Sequence, residues 1–240
     1  MRRLNLFASS IIAILLLTTT GCSQLGCISG SGNQISKVYS NEPFSLVKTS
    51  GSMKVILKEG PQQVRIIADD NIQERIRTRV SNRTLQIDLE GNFCNIGPIT
   101  VYLSTPEWEG IKASGAVNIS SDGKLNTTKD FQIALSGSNN INLDLNAASV
   151  FTKSSGSSKV FLTGQAGSHA IDLSGSSTID ALDFVVGKCQ IKSSGSTKAR
   201  INVLNELEIK SSGTSDIVYR GKPTKVVNDN MGISSLKNIN

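Results

Sequence analysis

The sequence predicts an all-β protein: a β-solenoid, or parallel β-helix-like stack, of repeats of about 19 residues, preceded by a less regular β-rich part. Two observations carry that reading. Ser-Gly pairs recur along the chain at near-constant spacing, and apolar residues alternate with polar ones on both sides of each pair. A third agrees with them: past the first 21 residues only one short stretch reads as helix.

The repeats come first, because a fixed period near 20 residues signals a stacked architecture. Beyond about residue 110 the glycines are Gly115, Gly137, Gly156, Gly175, Gly195 and Gly213, spaced 22, 19, 19, 20 and 18 residues apart, with a weaker copy at Gly232. Around Gly137, Phe131, Ile133 and Leu135 precede at two-residue intervals, and Ile141, Leu143 and Leu145 follow. Equivalent offsets hold Ile171, Leu173 and Ile179 around Gly175, and Leu207, Ile209, Ile217 and Tyr219 around Gly213. Period two with one apolar face means strands. Glycine at the junction admits a positive φ or a tight bend without a Cβ penalty. One such unit cannot bury its apolar face alone, whereas copies stacked at about 4.8 Å share a continuous core on the order of 30 Å tall. A β-sandwich with hairpin turns at the same glycines competes, because alternation alone does not determine pairing.

The earlier part, residues 35–109, is also β-rich. Residues 44–57 (FSLVKTSGSMKVIL) carry the Ser-Gly pattern once, at Gly51, and Val64–Ala68, Leu85–Leu89 and Ile99–Leu103 are further strand candidates. Residues 70–76 (DNIQERI) read as one helical turn with Asp69 or Asp70 as N-cap.

The amino terminus carries an address. Arg2 and Arg3 form a positive region and Ile11–Leu17 a short apolar run, followed by small residues up to Gly21-Cys22. A membrane-spanning helix needs roughly 20 apolar residues, so this run predicts an export signal over residues 1–21. Thr19-Thr20-Gly21-Cys22 resembles a bacterial lipobox, with Thr19 where Leu is usual, which makes Cys22 the expected site of lipid attachment. An ordinary signal peptide cleaved nearby is the alternative. Cys27 suits an anchor less well, because Gln24 lies three residues before it. Residues 22–34 then read as a lipidated Gly/Ser tether, and 35–109 and 110–240 as two parts of one domain. The expected location is the cell envelope, with the outer membrane as the favoured site and the membrane itself as a partner through the acyl chains.

Composition narrows the function classes. The chain has 240 residues, 38% hydrophobic and 18% charged, with 5% aromatic, so its core rests on Ile, Leu and Val. Its net charge is +6, or about +4 once Arg2 and Arg3 are removed, and no Lys/Arg run exists, so nucleic acid is not an expected partner. With Cys22 acylated, Cys27, Cys94 and Cys189 allow at most one disulfide. Cys94 and Cys189 read first as small buried hydrophobes and second as a pair. No CxxC motif occurs and His169 is the single histidine, which argues against zinc ligation and His-based catalysis; no cofactor is expected. His169 falls at a position other repeats fill with Phe131 or Cys189, and is read as an inward structural residue.

These features in order resemble the head GIN domain of bacterial envelope lipoproteins, also labelled an auto-transporter adhesin. The residues carrying the resemblance are 30–33 (GSGN), 50–57 (SGSMKVIL), 69–72 (DDNI), 102–107 (YLSTPE) and the Ser-Gly series to Gly213. It implies a β-solenoid-like fold at the envelope and supplies no catalytic residues.

Candidate contacts remain. Stacked serines would present hydroxyls at regular spacing to a polysaccharide, or simply close turns. Arg75, Arg77 and Arg79, with Asp69, Asp70 and Glu74, form the densest charge cluster, which suits an anionic polymer or a self-paired turn. Trp108 would stack on a sugar or cap the core. Asp144, Asp172, Asp180, Asp183 and Asp216 recur in no common column, so paired-carboxylate chemistry is not expected. The expected function is a non-enzymatic binding or adhesion module with a polysaccharide or envelope protein as ligand. A structural scaffold and a polysaccharide-active enzyme are the alternatives.

Overall fold

The computed structural model describes residues 26–40 and 42–240. The expected leader and Cys22 lie outside them. The chain is nearly all β, 75% strand and 2% helix, and forms a solenoid of about six turns. Its strands are β1 (Gln34–Tyr39), β2 (Leu46–Glu59), β3 (Gln63–Asp69), β4 (Ile76–Ser81), β5 (Thr84–Leu89), β6 (Thr100–Thr105) and β7 (Gly110–Asn126). They continue with β8 (Asp130–Gly137), β9 (Asn140–Gly156), β10 (Lys159–Gly175), β11 (Thr178–Arg220), β12 (Lys225–Asn230) and β13 (Ile233–Asn238), with one helical turn, α1 (Asp70–Gln73), after β3.

The solenoid rungs formed by β2 and β7–β13 pair in parallel, and the corner glycines set their register. Gly51 pairs with Gly115, Gly115 with Gly137, Gly137 with Gly156, Gly156 with Gly175 and Gly175 with Gly195. Gly213 stacks on Gly195 and Gly232 on Gly213. All but the last have φ between +88° and +112°. A Cβ on Gly137, Gly156 or Gly175 would lie 2.5 Å from the carbonyl oxygen of the glycine below. The same carbonyls accept the next rung's N–H, as in Ser138 N–H to Gly115 O at 2.7 Å and Ser157 N–H to Gly137 O at 2.8 Å. Glycine is therefore required twice at each corner, for its backbone angle and for close approach.

Departures from a 19-residue spacing have local causes. The 22-residue step from Gly115 contains Ser121–Gly123, three residues of β7 standing opposite one residue of β9. The 20-residue step from Gly175 holds an extra residue opposite the Phe161–Thr163 stretch, where Ala181 and Leu182 are both buried.

Inward columns bury the alternating Ile, Leu, Val and Phe side chains as one core. Beneath the corners the interior turns polar. Asn139, Ser158, Ser177, Thr197 and Ser215, each two residues after a corner glycine, are buried. Asn139 accepts from Val117 N–H at 3.2 Å and donates to Ser136 O at 2.8 Å. Ser154 and Ser177 share a 3.0 Å hydroxyl contact, and Ser211 donates to Ser215 at 2.8 Å. Small polar groups satisfy one another where the bend leaves no room for long apolar chains.

The amino-terminal part caps the first rung. The first half of β2 pairs with β5, which pairs antiparallel with β4; the second half pairs with β6, which leads antiparallel to β3 and on to β1. The β4–β5 turn places Asn82 and Arg83 at positive φ, 48° and 58°, the angles of a two-residue hairpin. Asp69 precedes α1 at the N-cap position but makes no capping bond; its carboxylate accepts from Gly97 N–H at 3.2 Å. Asp70 instead binds Ser31 Oγ at 2.5 Å and Asn33 Nδ2 at 3.0 Å. Those hydrogen bonds, the serine's foremost, hold its carboxyl below the usual range.

Two expectations are corrected here. Cys94 is neither a buried hydrophobe nor the partner of Cys189: it forms a disulfide with Cys27, Cα atoms 5.6 Å apart, while Cys189 is a free, buried thiol. Burial pushes that thiol up to about 12. Residues 27–33 are accordingly no free tether, since Ile28 and Gly30 donate backbone hydrogen bonds to Asn92 O and Asn95 O.

Candidate functional site

The alternation that buries the core presents a second set of columns outward. Every residue before a corner glycine, from Ser50 to Ser212, is serine. Two positions earlier stands a column dominated by lysine. In register, Lys48 faces Lys112, Lys112 faces Ala134, Ala134 faces Lys153, Lys153 faces Asp172 and Asp172 faces Lys192. Lys210 occupies the same place around Gly213 and faces Asp229. Three residues after the corners, Lys54, Lys159 and Lys198 line the opposite side of the ridge beside Asn118 and Asn140.

Most of these cations have no ion-pair partner. Elsewhere several basic groups are neutralised: Lys124 by Asp144, Lys129 by Glu107 and Glu109, Lys188 by Glu206, Arg200 by Asp180 and Arg220 by Asp183. Along the ridge Lys210 pairs with Glu208 at 2.9 Å. Among the described residues Lys48, Lys112, Lys153, Lys192, Lys54, Lys159 and Lys198 form no ion pair. Like charges directly opposite on adjacent strands are destabilising, so Lys48 beside Lys112 is a local cost that no contact within the fold offsets.

A groove of about 260 Å³ runs between the lysine and serine columns, bounded by Lys48, Lys112, Lys153, Ser114, Ser136 and Ser155, with Ala134 forming a shallow gap. A second, of about 310 Å³, adjoins it around Phe151, Lys153, Gln132, Gln190 and Lys192. Phe151 is 46% exposed, with Gln132 opposite it on one rung and Ala170 on the next. Residues 151–161 read FTKSSGSSKVF, so this central rung carries Phe, Lys and Ser outward on each side of Gly156; Phe161 is 41% exposed.

The residues singled out by sequence fall elsewhere. Trp108 is 1% exposed, its indole N–H donating to Lys58 O at 2.9 Å and its ring meeting Phe44 edge-on at 6.1 Å. It anchors the cap and has no face for a ligand, which corrects the sugar-stacking expectation. Arg77 pairs with Glu90 at 3.2 Å, and Arg79 donates to Gln86 Oε1 at 3.0 Å. Both project from β4 and are spent on neighbours, while Arg75 stands before it at the end of α1's turn. The arginine cluster is thus a solvated edge strand of the cap, with Arg79 standing across Gln86 from Lys48 at the end of the lysine column. His169 is buried against Phe184, and its Nε2 lies 2.8 Å from Thr152 Oγ1. Desolvation lowers its pKa to about 3, so the ring is neutral. Among the described residues no three His, Cys, Asp or Glu side chains converge. The signal for the lysine column was present in the repeats, at three residues before each glycine; what the sequence does not show is which lysines find acidic partners.

The chain is similar to several solved structures. A structure described as a putative adhesin from Bacteroides fragilis NCTC 9343 superposes with a TM-score of 0.78 at 20% identity, covering 88% of this chain and 100% of that one. A putative adhesin from Parabacteroides merdae ATCC 43184 gives 0.68 at 18% identity, with 89% and 99% covered. A putative lipid binding protein from Parabacteroides distasonis ATCC 8503 gives 0.62 at 15%, with 90% and 100% covered. At these identities the likeness shows the fold. No curated protein matches the chain. The family model for the putative auto-transporter adhesin, head GIN domain, matches residues 43–223, most of the sequence, and the chain belongs to that family.

Proposed function

We propose that the protein is a non-enzymatic binding module displayed at the bacterial cell envelope, tethered by lipid at Cys22, which holds an extended ligand such as a polysaccharide against the Ser-Gly ridge. The observation that carries the reading is the set of unpaired lysines alternating with serine hydroxyls along both flanks of the corner glycines. The stacked backbone holds these groups in register before any ligand arrives, which lowers the ordering cost of many weak contacts. The adhesin descriptions of the family and of its structural relatives support a binding role and an exported, surface location. Of the acids considered for glycan hydrolysis, Asp144, Asp180 and Asp183 are engaged separately with Lys124, Arg200 and Arg220, and Asp172 stands in the lysine column between Lys153 and Lys192, which supports binding without turnover.

The test is a panel of neutral and acidic envelope polymers assayed for retention and for release of reducing sugar. Retention without release is the expected result; release would replace the reading with an enzyme. Loss of the protein from the membrane fraction on Cys22→Ser tests the anchor.

A second reading, a scaffold that docks a partner protein by strand addition, is favoured by the carboxy-terminal rung. There β12 and β13 each pair on one side with β11, and Met231 and Ile233 are 85% and 80% exposed.

A further inference from the structure

We infer that the ligand is a linear anionic polysaccharide lying along the solenoid axis in the grooves beside the lysine column, with one sugar ring seated on Phe151. The inference rests on the binding-module reading and names the chemistry of its ligand.

Three features converge on it. The charge is mostly of one sign and unspent: Lys48, Lys112, Lys153 and Lys192 form no ion pair, Lys48 faces Lys112 on the adjacent rung, and Lys153 and Lys192 follow at every second rung with Ala134 and Asp172 between. An anion of regular spacing relieves that repulsion, and a rung rise of about 4.8 Å is close to the length of one pyranose residue in an extended chain. The flanking groups suit a sugar better than a bare phosphate surface. Serine hydroxyls donate and accept on one side of the column, and the amides of Gln132 and Gln190 stand on rungs either side of Phe151. An exposed aromatic ring beside polar groups offers an apolar face to the C–H side of a pyranose while its neighbours bind hydroxyls. The shape is the third feature. The two grooves share Lys153 and run across rungs, so they fit a chain running up the stack and not a flat membrane.

The test uses the soluble body, residues 26–240, on immobilised polygalacturonate, with dextran as the neutral polymer, and duplex DNA and anionic phospholipid vesicles as alternative polyanions. Retention is expected on polygalacturonate and not on dextran. It should fall as salt rises from about 0.01 M to about 1 M, which shortens the screening length from roughly 30 Å to 3 Å. The triple variant Lys112→Gln, Lys153→Gln, Lys192→Gln should weaken retention about tenfold, at a few tenths to one kcal/mol per exposed pair. Lys124→Gln and Lys188→Gln, whose cations are already paired, should leave it unchanged. Phe151→Ala should weaken retention while the unfolding midpoint stays put. Retention on dextran that ignores salt and the triple variant would overturn the anionic ligand and leave the binding module standing. Equal retention of DNA or vesicles, indifferent to Phe151→Ala, would overturn the saccharide assignment. Retention of no polymer at all would remove both this inference and the reading beneath it.

Discussion

Alanine at Gly156 and at Gly51 separates two costs that every other corner combines. Both glycines are left-handed, φ +108° and +96°. A Cβ on Gly51 meets nothing within 4 Å, because no rung stacks beneath that corner, whereas a Cβ on Gly156 falls 2.5 Å from Gly137 O. Gly51→Ala should therefore cost only the backbone strain of a left-handed L-residue, about 1–3 kcal/mol. Gly156→Ala carries the same strain and a clash. Relief to an ordinary contact of about 3.5 Å requires the rungs to part by roughly 1 Å. That parting stretches the 2.8 Å bond from Ser157 N–H to Gly137 O past useful length, adding about 1–2 kcal/mol. The expected total is about 3–5 kcal/mol, and the gap between the variants about 2 kcal/mol. Urea unfolding followed by far-UV circular dichroism measures both. Equal losses would refute the argument that the column is sterically closed and leave only a conformational preference for glycine.

Other outcomes follow from the same structure. The Cys27–Cys94 disulfide closes a loop with a sequence separation of 67, so its chain-entropy contribution is at most about 4 kcal/mol; reduction should lower the urea midpoint, and an unchanged midpoint would show that the cap contributes nothing to the cooperative unit. His169 has its pKa lowered from 6.5 to about 3 by burial. The unfolded chain thus binds a proton that the folded one refuses between those values, and stability is full above about 6.5 and lost as pH falls towards 3. Relative to His169→Val, a residue the same column accepts at Val150, the natural protein should lose about 1.4 kcal/mol per pH unit across that window, and parallel curves would sink the idea. Trp108→Phe should destabilise the cap by about 1–3 kcal/mol, by leaving Lys58 O unpaired, without altering polymer retention; a retention change would restore Trp108 as a contact.

How much of this was legible depends on what each signal measures. The period-two runs around Gly137 and Gly175 report directly on burial, because most inward positions are apolar regardless of what they pack against, and the strands follow from them. The same logic hid the polar interior. Asn139 and Ser158 obey the alternation but do not look like core, since they are satisfied by neighbours one rung away. It also hid β4, where Arg77 and Arg79 read as a charge cluster and are the exposed face of an edge strand.

The sequence alone determined the repeat, the strand content, the corner glycines and the inward place of His169, because each depends on residues within one rung and on a spacing that stacking must preserve. Only the tertiary structure decided that the rungs pair in parallel, that Cys27 reaches Cys94 and not Cys189, that Trp108 closes the cap, and which of the ridge lysines stay unpaired. Each of these depends on which residues meet across rungs or across the cap, and alternation along a single strand is the same whichever neighbour lies beside it.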